Sequence, residues 1–495
     1  MLKLLIMLPN NLGDVIMTLP VLHALKVRDD STHLSFLVEE GYDAGLKDSP
    51  YCDRIISIPR KRYKTFAVSG DWTRTVGDLR AFVDGLNREE FDRVINLSQT
   101  GYLSYIAALI HTAALDGRRF LREGNHALPD LWSQYLYAIP FARRCNTLHA
   151  TDVYCRIAGV IAGDEPSGAL AVSDGERHAA AAFLAAKGIK TGDRLVLLQP
   201  GAAYQSKRWP VEHFIALGKL LVNDGYTCVI TGAPSERETA SCIAKELGSQ
   251  SCVTAGEQTF RETIATCSLV STAVTGDTAI MHAAAALGKR VVALFGPTNP
   301  VETGPYGDGH VVMTGVCPCN PCFKTTCGSM QCLKSVDPSA VYGAVKGGTV
   351  GCRTCRVYST RVSEGEYRLE PADGGENSYY DTSSAAAIRA IYDTVGFTTV
   401  NDAYTVETLR EFSSTCTMME KMLILFQKSG DGLYLRRFEE LRQQIAATGG
   451  CTAFVNALLN IRLNSIPLLD PAAGITGSIT VCRETAAEIL RGIDR

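Results

Sequence analysis

Three stretches of the sequence carry side chains suited to chemistry. Asn11-Leu12-Gly13-Asp14 sets a carboxylate on a turn after an apolar run. A carboxylate there can take a proton from a hydroxyl, or it can cap the helix that follows. Pro200-Gly201-Ala202-Ala203 is followed by Ser206-Lys207-Arg208-Trp209-Pro210. Its small residues let a ligand approach the backbone, and its two cations could neutralise a diphosphate. An isolated Lys-Arg pair is equally a solvated turn. Thr275-Gly276-Asp277-Thr278 opens a helical pattern with His282 one turn in. A helix start offers unpaired amides to phosphate oxygens, and the same residues also read as a turn, an N-cap and a core histidine. No G-x-G-x-x-G or G-x-x-x-x-G-K-[ST] pattern is present, which removes support for the usual dinucleotide and P-loop readings.

These stretches need strands and helices to hold them. Lys3–Leu8 is a short apolar run ending in a Pro-Asn-Asn-Leu-Gly-Asp turn, as a buried strand would. Val15–Val27 has helical spacing, and Leu34–Val38, Arg54–Ile58 and Val94–Leu97 are expected strands. The rhythm restarts with strands at Arg194–Leu198 and Tyr226–Thr231 and a helix at Glu212–Val222 between them. Leu269–Ala273 and Val291–Phe295 are further expected strands, with a helix at Thr278–Leu287 between them. Strands alternating with helices imply parallel sheets of βαβ units. The expected division is an α/β lobe over 1–155, a second over 156–346, and an accessory, mainly helical region over 347–495. In the last region Cys355–Leu369 suits a small hairpin. Ala385–Val395, Val406–Lys428, Tyr434–Ala447 and Thr452–Leu463 suit helices.

Composition bounds the functional classes. The chain has 495 residues, 46% hydrophobic and 20% charged, as in soluble globular proteins. Its length suits about three units of roughly 150 residues. A net charge of -3 argues against a general nucleic-acid binder. The apolar start is interrupted at Pro9-Asn10-Asn11 before a signal-peptide core can form. No run reaches the ~20 apolar residues of a membrane span. Many of the 17 cysteines are scattered singly, as small hydrophobes in a reducing compartment, so the cytoplasm is the expected location.

Read in order, NNLGD, QPGAAYQSKRWP, TGAPSE, VTGDTAIMHAAAALGKRVVALFGPTNP and CxxCF resemble glycosyltransferase family 9, the ADP-heptose:lipopolysaccharide heptosyltransferases, over about residues 1–345. The resemblance implies a GT-B fold, two Rossmann-like lobes facing a cleft, and an inverting displacement that needs no catalytic metal. It implies a transfer of heptose from ADP-heptose to an acidic lipopolysaccharide-core acceptor. By the same resemblance Asp14 matches a general base and Lys207 a lysine on the donor phosphates. Glu236 matches the holder of the donor ribose, and Gly276, Asp277, Thr278 and His282 match the cradle of the diphosphate. Gly13, Gly201, Ala202 and Arg208 complete the expected donor side. Ala202 and Ala203 stand where some members place hydroxyl residues, and the chain continues about 145 residues past the family's usual end. Base and cation are expected to meet only when the cleft closes. Alternatives are another nucleotide sugar, a protein acceptor, or a catalytically silent glycan-binding or assembly protein.

Arg60, Arg62, Lys64 and Arg119 are the acceptor-side candidates, lying in the runs Arg60-Lys61-Arg62-Tyr63-Lys64 and Arg118-Arg119. Such runs could meet the anionic groups of a glycan or glycolipid, or anionic lipid at the inner membrane. The other partner is an ADP-sugar; oligomeric state is not indicated. Cys317, Cys319, Cys322, Cys327 and Cys332 crowd one loop (317–332), with Cys352-x-x-Cys355 beyond it. Cys319, Cys322, Cys327 and Cys332 are candidate ligands of a structural zinc or iron. The spacing of the two C-x-x-C pairs is about twice that of an ordinary zinc site, so reduced cysteines in a loop are the competing reading. The autotransporter heptosyltransferases, a related branch, hold iron on cysteines.

Overall fold

The computed structural model describes residues 1–348 except 9–10, 122–125, 129, 142, 144–145, 164–169 and 191. It also describes 352–374, 403–429, 432–446, 459 and 477–487. In the first lobe β1 (Lys3–Met7), β2 (His33–Glu39), β3 (Arg54–Ile58), β4 (Arg93–Asn96) and β5 (Ala114–Gly117) form a parallel sheet. Its order is β3-β2-β1-β4-β5. Leu4 to Met7 are fully buried, because helices cover both faces of a parallel sheet, which is why the run shows no alternation. A short antiparallel pair follows, β6 (Arg119–Phe120) with β7 (His126–Ala127).

The helix expected at Val15–Val27 is two helices, Leu12–Met17 and Leu19–Arg28. Pro20 sits at the start of the second and has no N–H to offer Ile16, so the ladder breaks at Thr18. The Thr18 hydroxyl instead donates to the Val15 carbonyl at 2.6 Å.

In the second lobe β8 (Arg194–Gln199), β9 (Tyr226–Ile230), β10 (Ser251–Val253), β11 (Thr272–Gly276), β12 (Arg290–Phe295) and β13 (Val311–Gly315) run parallel. The sheet order is β10-β9-β8-β11-β12-β13-β14-β15. The strand expected at Leu269 starts only at Thr272, because Leu269 and Val270 still donate to Thr266 and Cys267 in the turn that ends helix Phe260–Cys267.

The boundary expected at residue 346 is corrected. The hairpin β14 (Cys355–Ser363) and β15 (Glu366–Pro371) is antiparallel and adds to β13, so it extends the second sheet instead of opening a separate region. It also reaches the first lobe, where Asp152 accepts from the Tyr367 amide at 3.0 Å and the Tyr306 hydroxyl at 2.7 Å. Beyond it, helices Ala403–Ser429 and Gly432–Ala446 pack together over Phe412, Met419, Leu423, Phe438 and Leu441. The helices expected at Ala385–Val395 and, Leu459 apart, at Thr452–Leu463 lie outside the described residues. Among the described residues no helix is long and apolar enough to cross a membrane.

Ligands of open parallel sheets sit beyond the strand C-termini where the strand order reverses. The first sheet reverses between β1 and β4, and the second between β8 and β11. The turn with Asp14 follows β1, the loop with Lys207 follows β8, and Asp277 follows β11.

Candidate active site

Asp14 is the third residue of helix Leu12–Met17, and the N-cap position belongs to Asn11. Helix capping therefore does not account for Asp14. Asn11, with φ 54°, turns its amide back to donate to Asp14 Oδ2 at 3.0 Å. Burial pushes the Asp14 carboxyl up to about 6, against the hydrogen bond from Asn11; Asp277 adds to the rise, and Lys207 and Arg143 oppose it.

Lys207 and Asp277 belong to the other lobe. The ammonium donates to Asp277 Oδ2 at 2.6 Å, joining the loop after β8 to the loop after β11. Burial would raise the Asp277 carboxyl, but the charge and hydrogen bond of Lys207 outweigh it and hold the group below its usual range. Gly276 keeps this junction tight, since a Cβ there would lie 3.1 Å from the Lys207 carbonyl. Thr278 is the N-cap of helix Ala279–Ala286, yet its hydroxyl faces Gln199 at 3.1 Å and caps no amide. The first turn of that helix is thus left without a side-chain cap. Burial drops His282 to about 4, so it is a neutral imidazole.

The two halves already share one cleft in this conformation. Helix Leu12–Met17 packs on helix Ala279–Ala286. A Cβ on Gly13 would stand 3.0 Å from His282 Cδ2, so this glycine sets how closely the lobes approach. In this conformation Asp14 already lies within electrostatic reach of Lys207 and Asp277.

Glu236 accepts from the Ala233 amide at 2.8 Å. Its carboxylate lies against Gly201 and Gly232, where added Cβ atoms would fall 1.9 Å and 2.7 Å from it. Arg208 is turned onto the same loop, donating from Nε to the Ala202 carbonyl at 2.9 Å.

Two charged residues of the site carry no sequence motif. Glu302 lies on the short helix Pro300–Thr303 after β12, and burial pushes it up to about 7. Its Oε2 is buried without a hydrogen-bond partner, and Arg143 of the first lobe stands 3.7 Å from Oε1. Both Glu302 and Arg143 bear on Asp14 electrostatically. Asn299 fastens the lobes beside them, donating to the carbonyls of Arg143 and Asn146 at 3.1 and 2.9 Å. The GPTNP turn was a visible signal for this loop, whereas Arg143 sits in an aperiodic connection that offers none.

Of the acceptor-side candidates, Arg60 and Arg119 follow β3 and β5, the two edge strands of the first sheet. Arg60 follows β3, pairs with Glu39 at 3.2 Å and lies over the Tyr102 ring at 4.6 Å. Arg62 is paired with Asp78, and Lys64 is exposed one turn on. Arg119 follows β5, and its Nε is buried without a hydrogen-bond partner.

The expected metal ligands Cys319, Cys322, Cys327 and Cys332 are not arranged as a set. Among the described residues no group of three or more His, Cys, Asp or Glu side chains is placed to hold a metal. Cys317 and Cys319 sulfurs approach to 3.2 Å, Cys332 is buried in the apolar core, and Cys352 pairs with Cys355. The loop instead braces the segments that follow β8 and β12. Cys322 and Phe323 amides donate to the Pro297 carbonyl at 2.9 and 2.8 Å, and Ser206 donates to Thr325 at 3.2 Å.

The sequence pattern of glycosyltransferase family 9 (heptosyltransferase) matches residues 79–333. Lipopolysaccharide heptosyltransferase 1 of Pseudomonas aeruginosa is 27% identical over 338 residues, 66% of this chain and 87% of that protein. Lipopolysaccharide heptosyltransferase 2 of Salmonella typhimurium is 24% identical over 314 residues, 61% of this chain and 85% of that protein. Among solved structures, the family 9 glycosyltransferase of Veillonella parvula superposes with a TM-score of 0.57 at 23% identity, over 70% of this chain and 96% of that one. Escherichia coli ADP-heptose lps heptosyltransferase II gives 0.53 at 19% identity, over 70% and 98%. These two structures share the GT-B fold with the lobes described above. The chain belongs to glycosyltransferase family 9 and is a glycosyltransferase.

Proposed function

We propose that the protein transfers heptose from ADP-heptose to an acidic lipopolysaccharide-core acceptor, with inversion at the anomeric carbon. The observation that carries this reading is the meeting of Asp14, from the first lobe, with Lys207 and Asp277 of the second. A general base and an anion-binding helix start then face one cleft. In the reaction Asp14 removes the proton of the acceptor hydroxyl as its oxygen bonds to the anomeric carbon. The bond from that carbon to the β-phosphate oxygen breaks, and its electron pair leaves with ADP. Lys207 and the amides at the start of helix Ala279–Ala286 stabilise the departing charge.

Around that step Gly201 and Ala202 bring the backbone close to the donor, with Arg208 beside them. Glu236 takes the ribose hydroxyls, and His282 packs as a neutral ring below the diphosphate. Arg60, Arg62, Lys64 and Arg119 meet the acidic acceptor at the other lobe. No step in this chemistry calls for a metal.

The buried thiols Cys228 and Cys267 support a reducing compartment. We place the enzyme in the cytoplasm, with peripheral contact at the inner-membrane face where a glycolipid acceptor is presented. The test is a stabilisation titration with ADP, UDP and GDP, followed by turnover of ADP-heptose with a heptose-free core glycan and assignment of the product anomer. ADP-selective stabilisation with an inverted heptoside supports the reading. A preference for UDP or GDP discards heptose as the donor sugar, and a retained anomer discards Asp14 as base.

A further inference from the structure

Helix Arg60–Val68 has no buried residue. Its covered side carries Tyr63, packed on the apolar core of the first lobe, and Phe66, under the Arg74 guanidinium at 4.1 Å, which leaves the opposite side open. Lys61, Lys64 and Val68 fall at i, i+3 and i+7, one face of the helix. The chain turns through Ser69-Gly70-Asp71 into helix Trp72–Asn87, where Trp72, Val76 and Arg80 fall at i, i+4 and i+8. All six residues are exposed, Val68 by 81%, Trp72 by 62% and Val76 by 61%. The helix-to-helix corner therefore presents a valine–tryptophan–valine tip with cations on both sides.

The charges support one partner. Between residues 60 and 87 the sequence holds six Arg or Lys and three Asp, a net of +3 on a chain whose total is -3. Asp78 is neutralised by Arg62, and Asp71 is occupied as the N-cap that accepts from the Arg74 amide at 3.1 Å. Lys61, Lys64 and Arg80 have no ion pair among the described residues. An exposed indole flanked by aliphatics and unpaired cations suits the interface of an anionic bilayer: the apolar tip enters the headgroup region while the cations meet lipid phosphates.

We propose that the corner formed by Val68, Trp72 and Val76, with Lys61 and Arg80 around it, docks the enzyme on an anionic lipid surface. This rests on the proposed glycolipid acceptor and gives it a geometry. Helix Arg60–Val68 starts at the sheet edge where Arg60 meets Tyr102 and Glu39. Its nine residues carry the chain about 13 Å to the apolar tip. The helix thus spans the distance between a bilayer surface and the acceptor-side cations.

The experiment uses the full chain and vesicles of phosphatidylcholine with or without phosphatidylglycerol. Wild-type protein is expected to cosediment with the anionic vesicles at low salt and to release at high salt. Its fluorescence should shift to the blue, a shift that Trp72→Phe removes even though Trp132 and Trp209 remain. The double variant Trp72→Ser/Val76→Ser should bind at least tenfold more weakly, while its circular dichroism and its turnover of a soluble, lipid-free acceptor stay unchanged. Binding equal to wild type in that variant, or no wild-type binding to anionic vesicles, overturns the proposal. So does a wild-type dimer that the variant dissociates, which would assign the corner to a second copy of the chain. Vesicle binding is read without donor or acceptor, so its loss is distinguishable from a failure of the heptosyl-transfer reading.

Discussion

The Lys207 ammonium lies 2.6 Å from Asp277 Oδ2, and both charges bear on the Asp14 carboxyl of the other lobe. The contact joins the two loops that flank the reversal of strand order in the second sheet. It also sets what the cation can do before a donor arrives. One hydrogen bond of Lys207 already goes to a carboxylate, so a diphosphate must share the lysine with Asp277 or displace it.

Lys207→Met should therefore affect stability and catalysis separately. Both side chains are largely buried, and removing one partner of a buried pair costs about 3 kcal/mol because the other charge is left uncompensated. The double variant Lys207→Met/Asp277→Asn should recover most of that stability in thermal denaturation. Turnover should stay at least about a hundredfold down in both, since neither stabilises the leaving phosphate. Recovery of turnover in the double variant would show that Lys207 acts only by neutralising Asp277.

Asp14 sets the acid limb of the rate. With its carboxyl pushed up to about 6, kcat/KM should fall as the pH drops through about 6 and level off above it. Asp14→Asn should abolish turnover while leaving ADP affinity within severalfold. The stability effect has the opposite sign. A carboxyl whose folded pKa is raised binds more protons folded than unfolded between about pH 4 and 6, so the native state loses stability as pH rises through that window. Asp14→Asn should thus raise the melting temperature at pH 7.5, by an amount equivalent to about 1–3 kcal/mol. An unchanged or lowered melting temperature would mean that solvent reaches the carboxylate.

The places of Asp14, Lys207 and Asp277 were legible because each follows an apolar run that could only be a buried strand, and strand ends of parallel sheets converge. Other features depend on tertiary pairing. Glu302 and Arg143 are far apart in sequence and meet only because Asn299 fastens one lobe to the other. The hairpin at Cys355–Pro371 was visible as a hairpin, but its attachment to β13 is a choice of edge that local pattern does not encode. The cysteines misled in the other direction. Their spacing suggested ligands or a plain loop, and it is the loop's backbone, at Cys322, Phe323 and Thr325, that braces Pro297 and Ser206.

Gly201 tests the ribose assignment of Glu236. A methyl at this position would overlap the Glu236 carboxylate at 1.9 Å, so Gly201→Ala must push that side chain away. The expected result is a KM for the donor raised about tenfold with kcat changed less than threefold, as when ground-state and transition-state binding are lost together. Glu236→Gln should do the same without steric strain. If Gly201→Ala lowers kcat instead, Glu236 reaches the reacting centre and the ribose assignment fails.

Glu302 and Arg143 should move the acid limb in opposite directions. Arg143 lowers the Asp14 carboxyl, and Asp14 raises Glu302, a coupling that acts in both directions. Glu302 is itself held at about 7 by burial, so the two carboxyls titrate as an interacting pair in the wild type and the limb should be broad. Glu302→Gln removes one member. The limb should sharpen to a single titration and shift to lower pH by less than about one unit. Arg143→Met should shift it to higher pH. A structural role for either residue would lower the melting temperature and leave the limb where it was. Glu302→Gln should also stabilise the protein at pH 8, because the wild type must keep an ionised carboxylate, with Oε2 unpartnered, in a buried site. Opposite shifts in the two pH profiles would place Arg143 and Glu302 in the electrostatic machinery around the base; matched profiles would remove them from it.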